Sequence, residues 1–160
     1  MTSTARIYDW PADFPPIPVV QSTAIVIGQV SDAQAHLSDL KSGVYSEITI
    51  KVDQVLKDNA GIKTGLPIVA EREGGRVRFP SGSTYRYFVA GFGMPKVGGC
   101  YLLFLDQLED GDFRILTGYE LRDGHVLPLD ESGVVHFEKY KDADEATFLT
   151  EVRESIIKQN

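Results

Sequence analysis

The chain has 160 residues, of which 42% are hydrophobic and 24% charged, and its formal net charge is -7. That length suits one domain with an adequate core, and the acidic balance disfavours phosphate backbones and anionic lipid surfaces as partners. No stretch reaches the ~20 apolar residues of a membrane-spanning helix, and the single cysteine, Cys100, excludes an intrachain disulfide.

Residues 1–21 read as an irregular, proline-rich arm. Pro11, Pro15, Pro16 and Pro18 remove backbone donors and fix φ, while Trp10 and Phe14 offer apolar anchors. Met1–Arg6 is polar and has no apolar core of a secretion leader. The chain reads as cytoplasmic or as a mature segment given a new start codon.

Ala24–Val30 is a short, β-branched apolar run, the pattern of a strand buried on both faces. Residues 31–43 read as a loop with one short helical turn. Residues 44–57 then alternate. Val44, Ile48, Ile50, Val52 and Leu56 fall on even positions, and Glu47, Thr49, Lys51, Asp53 and Lys57 on odd ones. At about 3.3 Å per residue this strand spans roughly 46 Å, long enough that it must bend. Gln54 and Val55 break the parity, which predicts a β-bulge near Asp53–Gln54.

A turn follows at Lys57–Gly61. Two extended runs, 66–73 and 76–79, flank Gly74-Gly75 and predict a two-residue hairpin. Residues 85–90 read as a further strand, and 91–99 as a glycine-rich loop. Tyr101–Leu105 is a second doubly buried strand. Asp110-Gly111 joins it to the alternating Phe113, Ile115 and Thr117, and Asp123-Gly124 joins 120–122 to 125–127. Residues 134–137 suggest a last short strand. Phe148, Val152 and Ile156, with Leu149 and Ile157 beside them, make a helical stripe over about 143–158, with Asp142 and Glu145 as an acidic capping pair.

These elements describe a mainly β domain over 22–140, with a C-terminal helix (141–160) packed on it. Six to eight hairpin-linked strands and no βαβ alternation favour a five- or six-stranded Greek-key barrel of the OB type. A β-sandwich is the alternative. The order and character of Ala24–Val30, Tyr45–Lys57 and Gly99–Leu105 resemble the OB-fold module of the tissue inhibitors of metalloproteinases and of netrin-like domains. They are similar above all to uncharacterised bacterial proteins that share that module, over roughly residues 22–129. The resemblance implies a binding module outside the cytoplasm. It does not carry over the inhibitory wedge, because those inhibitors use disulfides and an N-terminal cysteine, and Cys100 lies in an expected core strand.

Catalytic signatures are weak. His36, His125 and His136 lack the tight spacing of a zinc site, and His136 with Glu138 would be a two-ligand pair on one strand. No Gly-x-Ser-x-Gly elbow is present, and Gly91-Phe92-Gly93 lacks the third glycine of a dinucleotide loop. Paired acids such as Asp110 and Asp112 suit turns. No cofactor, metal site or catalytic residue is assigned. One cluster exceeds background: Arg72, Arg76, Arg78 and Arg86, with Tyr85 and Tyr87. A local positive patch with aromatic neighbours in an acidic chain suits an anionic protein or glycan, whereas nucleic acid is disfavoured. The expected function is a non-enzymatic binding module with its contacts at the Gly74–Gly75 hairpin and the 80–99 loop. A small hydrolase or metal-dependent enzyme and a self-associating structural domain are the alternatives.

Overall fold

A computed structural model describes residues 2–38 and 43–159. The chain is mainly β, and among the described residues it has ten strands and one C-terminal α-helix: β1 (Thr2–Ile7), β2 (Ala24–Leu37), β3 (Val44–Asp58), β4 (Pro67–Glu73), β5 (Gly75–Arg78), β6 (Thr84–Ala90), β7 (Cys100–Gln107), β8 (Phe113–Arg122), β9 (His125–Pro128), β10 (Ala143–Asp144) and α1 (Glu145–Lys158). The strands form two sheets. A seven-stranded sheet runs in the order β10-β9-β8-β4-β3-β2-β7, with β8 also pairing with β7. A three-stranded sheet runs in the order β1-β6-β5.

The doubly apolar runs are explained by two cores. Successive side chains of a strand point to opposite faces. Val26, Leu103 and Leu105 therefore enter one cluster, with Ile48, Ile50, Ala70 and Phe113, to which β2, β3, β4, β7 and β8 all contribute. Ile25, Ile27, Leu102 and Phe104 enter the other, with Trp10, Tyr119, Phe137, Phe148 and Val152. The long alternating strand is present as β3. Its pairing with β2 slips between Ile27 and Gly28, whose partners are Gln54 and Val52, so Asp53 is the extra residue. That irregularity lies where the parity break of Gln54 and Val55 places it.

Several expectations need correction. The arm over 1–21 is not wholly irregular, because β1 pairs in parallel with β6; Trp10 is buried and Phe14 packs against the same cluster, as apolar anchors should. The expected loop at 31–43 is strand as far as Leu37. Its partly polar residues stay extended because β3 satisfies their backbone groups along the ladder from Asp32 to Leu37; residues 39–42 lie outside the described residues. Residues 113–122 form a single strand. Residues 134–137 do not make a strand. They bend, and Phe137–Tyr140 is a 3₁₀ turn with Phe137 and Tyr140 buried. The helix is capped by Asp144, which accepts from Thr147 N at 3.0 Å, rather than by Asp142.

The most consequential correction concerns Gly74-Gly75. Strands β4 and β5 do not pair with each other; β5 pairs with β6. The glycines form a corner where the chain leaves the large sheet for the small one. Gly74 N donates to Val44 O at 2.7 Å, and Ser46 Oγ donates to Gly74 O at 2.8 Å, pinning the corner to β3. Both glycines have positive φ, 111° and 142°, and a Cβ on Gly75 would stand 2.6 Å from Ser46 Oγ, so only glycine fits. The true hairpin is the next one, β5–β6, closed by Phe79 N donating to Ser83 O at 2.8 Å.

Candidate functional site

The small sheet sorts the six residues singled out by sequence. Arg76 stands opposite Arg86 and Arg78 opposite Thr84. By strand alternation Arg76, Arg78, Arg86 and Phe88 share the outer face, with Phe88 39% exposed. The Arg86 guanidinium lies 3.8 Å from the Phe88 ring centroid, a cation–π geometry that holds its charge at the surface. Tyr85 and Tyr87 point to the opposite face, as their register with Val77 and Gly75 requires. Arg72 is not part of the patch, because it is buried at 1% exposure. The arginine cluster of the sequence is therefore three residues; its tyrosines point to the inner face, and Tyr87 reaches the hollow beside the arginines from that side.

Among the described residues, Arg76, Arg78 and Arg86, like Arg153 on the helix, form no ion pair, whereas Arg6, Arg72, Arg114 and Arg122 each do. Beside them lies a hollow of about 240 Å³ whose lining includes Arg76, Arg86, Phe88, Phe92 and Met94 and, from the inner side, Glu73 and Tyr87. The inner face of the sheet is tied down by Glu73. Its carboxylate accepts from Arg6 Nε at 2.6 Å and from the Arg6 Nη2 group, and Tyr87 Oη donates to it at 3.2 Å. The Arg6 hydrogen bond, opposed by partial burial, holds the Glu73 carboxyl below its ordinary range. Burial, and then the Glu73 hydrogen bond, push the Tyr87 hydroxyl up.

Arg72 has a different task. It pairs with Asp130, also at 1% exposure, and Nη1 donates to Ile115 O at 3.2 Å. Its guanidinium stacks 4.0 Å from the Phe92 centroid. Asp130 also accepts from Gly93 N at 2.9 Å and from Thr117 Oγ1 at 2.8 Å. A Cβ on Gly93 would stand 1.9 Å from Leu129 O, so the loop approaches this closely only as glycine. The result is a buried clip joining β4, β8 and the segments after β6 and β9. Its signal was present in the sequence: Arg72 continues the inward parity of Ile68 and Ala70.

The remaining reactive side chains do not converge on a catalytic centre among the described residues. His36 lies 2.8 Å from the Glu47 carboxylate on the β2–β3 ladder, His125 is in β9, and His136 precedes the 3₁₀ turn, so the expected strand pair with Glu138 does not form. Cys100 is half-buried, and burial followed by the Asp53 charge raises its thiol, which keeps it a poor nucleophile. Glu71, Asp110 and Asp112 bring carboxylate oxygens within 4.8 Å of one another. Burial first, and then the charges of Asp110, Asp112 and Glu47, raise Glu71 above the ordinary carboxyl range, and burial followed by Asp110 and Glu47 raises Asp112. Asp110 also accepts from Asp112 N at 2.9 Å, a turn contact.

Comparison with known proteins finds no match to any family model, curated protein or solved structure. Among the described residues no helix is long and apolar enough to cross a membrane.

Proposed function

We propose that this chain is a non-enzymatic, OB-like binding module whose outer sheet face takes an acidic segment of a protein partner. The OB reading is supported by the pairings. β2, β3 and β4 follow one another, β4 meets β8 in parallel, β8 meets β7, and β7 returns to β2. A Greek-key path through five strands around one apolar cluster is the arrangement expected of a small barrel of that type. The glycine corner then carries the chain out of the barrel to display β5 and β6.

The observation that carries the binding role is the set of three arginines without ion pairs beside an apolar hollow. The chain has 23 acidic and 16 basic residues, so carboxylates are in surplus, yet none of the described ones engages Arg76, Arg78 or Arg86. Guanidinium groups beside apolar surface recognise carboxylates in a fork geometry. Phe88, Phe92 and Met94 favour an apolar side chain next to those carboxylates, which suits a peptide better than a sugar. The test is titration of a fluorescent peptide of alternating glutamate and leucine. Replacing both Arg76 and Arg78 with Ala should weaken capture at least about tenfold, the loss of one or two charge-assisted contacts. Unchanged capture by the folded variant contradicts the site.

A further inference from the structure

The outer face of the small sheet does not end at its arginines. Ile7 stands opposite Ala90, and Ala90 is two residues beyond Phe88 on the same parity. Ile7 is 82% exposed. Beyond this apolar end opens a cleft of about 480 Å³ whose walls include Ile7, Ala90, Asp9, Glu131 and Glu138. Its three acids are exposed and form no ion pair among the described residues. Along β6 the surface thus passes from cationic at Arg86, through apolar at Phe88 and Ala90, to anionic at the cleft.

A face with opposite charges at its two ends and an apolar centre is complementary to itself when one copy is turned by a twofold rotation. We infer that the acidic partner of the arginine face is a second copy of this chain, docked antiparallel so that the Arg76–Arg86 end of each meets the Asp9, Glu131 and Glu138 end of the other. This inference rests on the binding role proposed for the same face. From Thr84 to Ala90 the strip runs roughly 20 Å, and three strands make it about 14 Å wide. The strip itself, before the cleft acids beyond Ala90 are added, falls well short of the ~800 Å² per partner of a standard interface. The dimer is therefore weak, reversible and sensitive to salt.

Sedimentation of the full chain in low salt, from about 10 µM to about 0.5 mM, should show a monomer–dimer equilibrium that added salt shifts to monomer. Arg86→Glu alone and Glu131→Arg alone should each weaken dimerisation at least about tenfold. Mixing the two variants should restore it, because each then offers the sign that the other lacks. Arg86 is partly exposed and Glu131 exposed, and an unchanged melting curve verifies folding. A dimer that survives both reversals, or growth beyond the dimer, overturns this interface. Wild-type chain that stays monomeric but still binds the glutamate–leucine peptide overturns self-association and leaves the binding role standing. Chain that neither dimerises nor binds overturns both. If both hold, the peptide disperses the dimer by competing for the arginines.

Discussion

Arg72 and Arg76 are four residues apart and have opposite fates. Arg72 ends the inward row of β4 and is sealed against Asp130, Phe92 and the carbonyl of Ile115. Arg76 lies beyond the glycine corner, exposed on the outer face of the small sheet, where Arg76, Arg78 and Arg86 have no ion-pair partner among the described residues. The same side chain is a structural clip in one place and an available cation in the other. The difference arises from a change of sheet between them and not from the local sequence.

The largest effect expected from breaking this contrast is at the clip. Asp130→Ala leaves a buried guanidinium unpaired and should cost about 3–5 kcal/mol in chemical denaturation. The double change Arg72→Met with Asp130→Leu removes both charges and should recover most of that loss; a double variant as unstable as the single one would mean that packing, not charge, sets the cost.

A smaller effect is expected where the small sheet is tied to the large one. Glu73 is held below its ordinary range by Arg6, so its contribution is present above the usual glutamate range and is lost as pH falls through its lowered value in the folded chain. Arg6→Ala should remove that contribution at neutral pH, and the gap between variant and wild type should close on acidification. Glu71 has the reverse sign. Its carboxyl is raised, so the ionised form costs stability above that raised value and the cost disappears below the ordinary range. Glu71→Gln should therefore stabilise the chain at neutral pH, with the gain vanishing in acid; a loss at neutral pH would contradict the repulsion among Glu71, Asp110 and Asp112. The smallest effect belongs to the exposed arginines. Arg76→Ala and Arg78→Ala should each change stability by less than about 0.5 kcal/mol, as exposed substitutions usually do.

The strands of the seven-stranded sheet were legible because burial imposes a period. The alternation of β3 and the doubly apolar runs of β2 and β7 follow from two cores lying on either side of one sheet. What periodicity does not carry was missed. β1 has no apolar alternation, since its place is set by pairing with a strand some eighty residues later. Residues 31–37 are strand only because β3 lies alongside them. Two consecutive glycines can make a hairpin or a corner, and the choice is decided by Val44 and Ser46 on another strand. The candidate site was legible as an excess of arginines. That Arg72 turns inward follows from the parity it shares with Ile68 and Ala70, whereas its partner Asp130 is connected to it by no spacing rule.

The central claim is that the outer face of β1-β6-β5 is a binding surface built on unpaired arginines. Fluorescence anisotropy of the glutamate–leucine peptide against wild type and an Arg76→Ala, Arg86→Ala variant of equal melting temperature tests it most directly. Saturable binding by wild type, weakened at least about tenfold in the variant, is the predicted result. Equal affinity of the two proteins, or no binding by either, would contradict it.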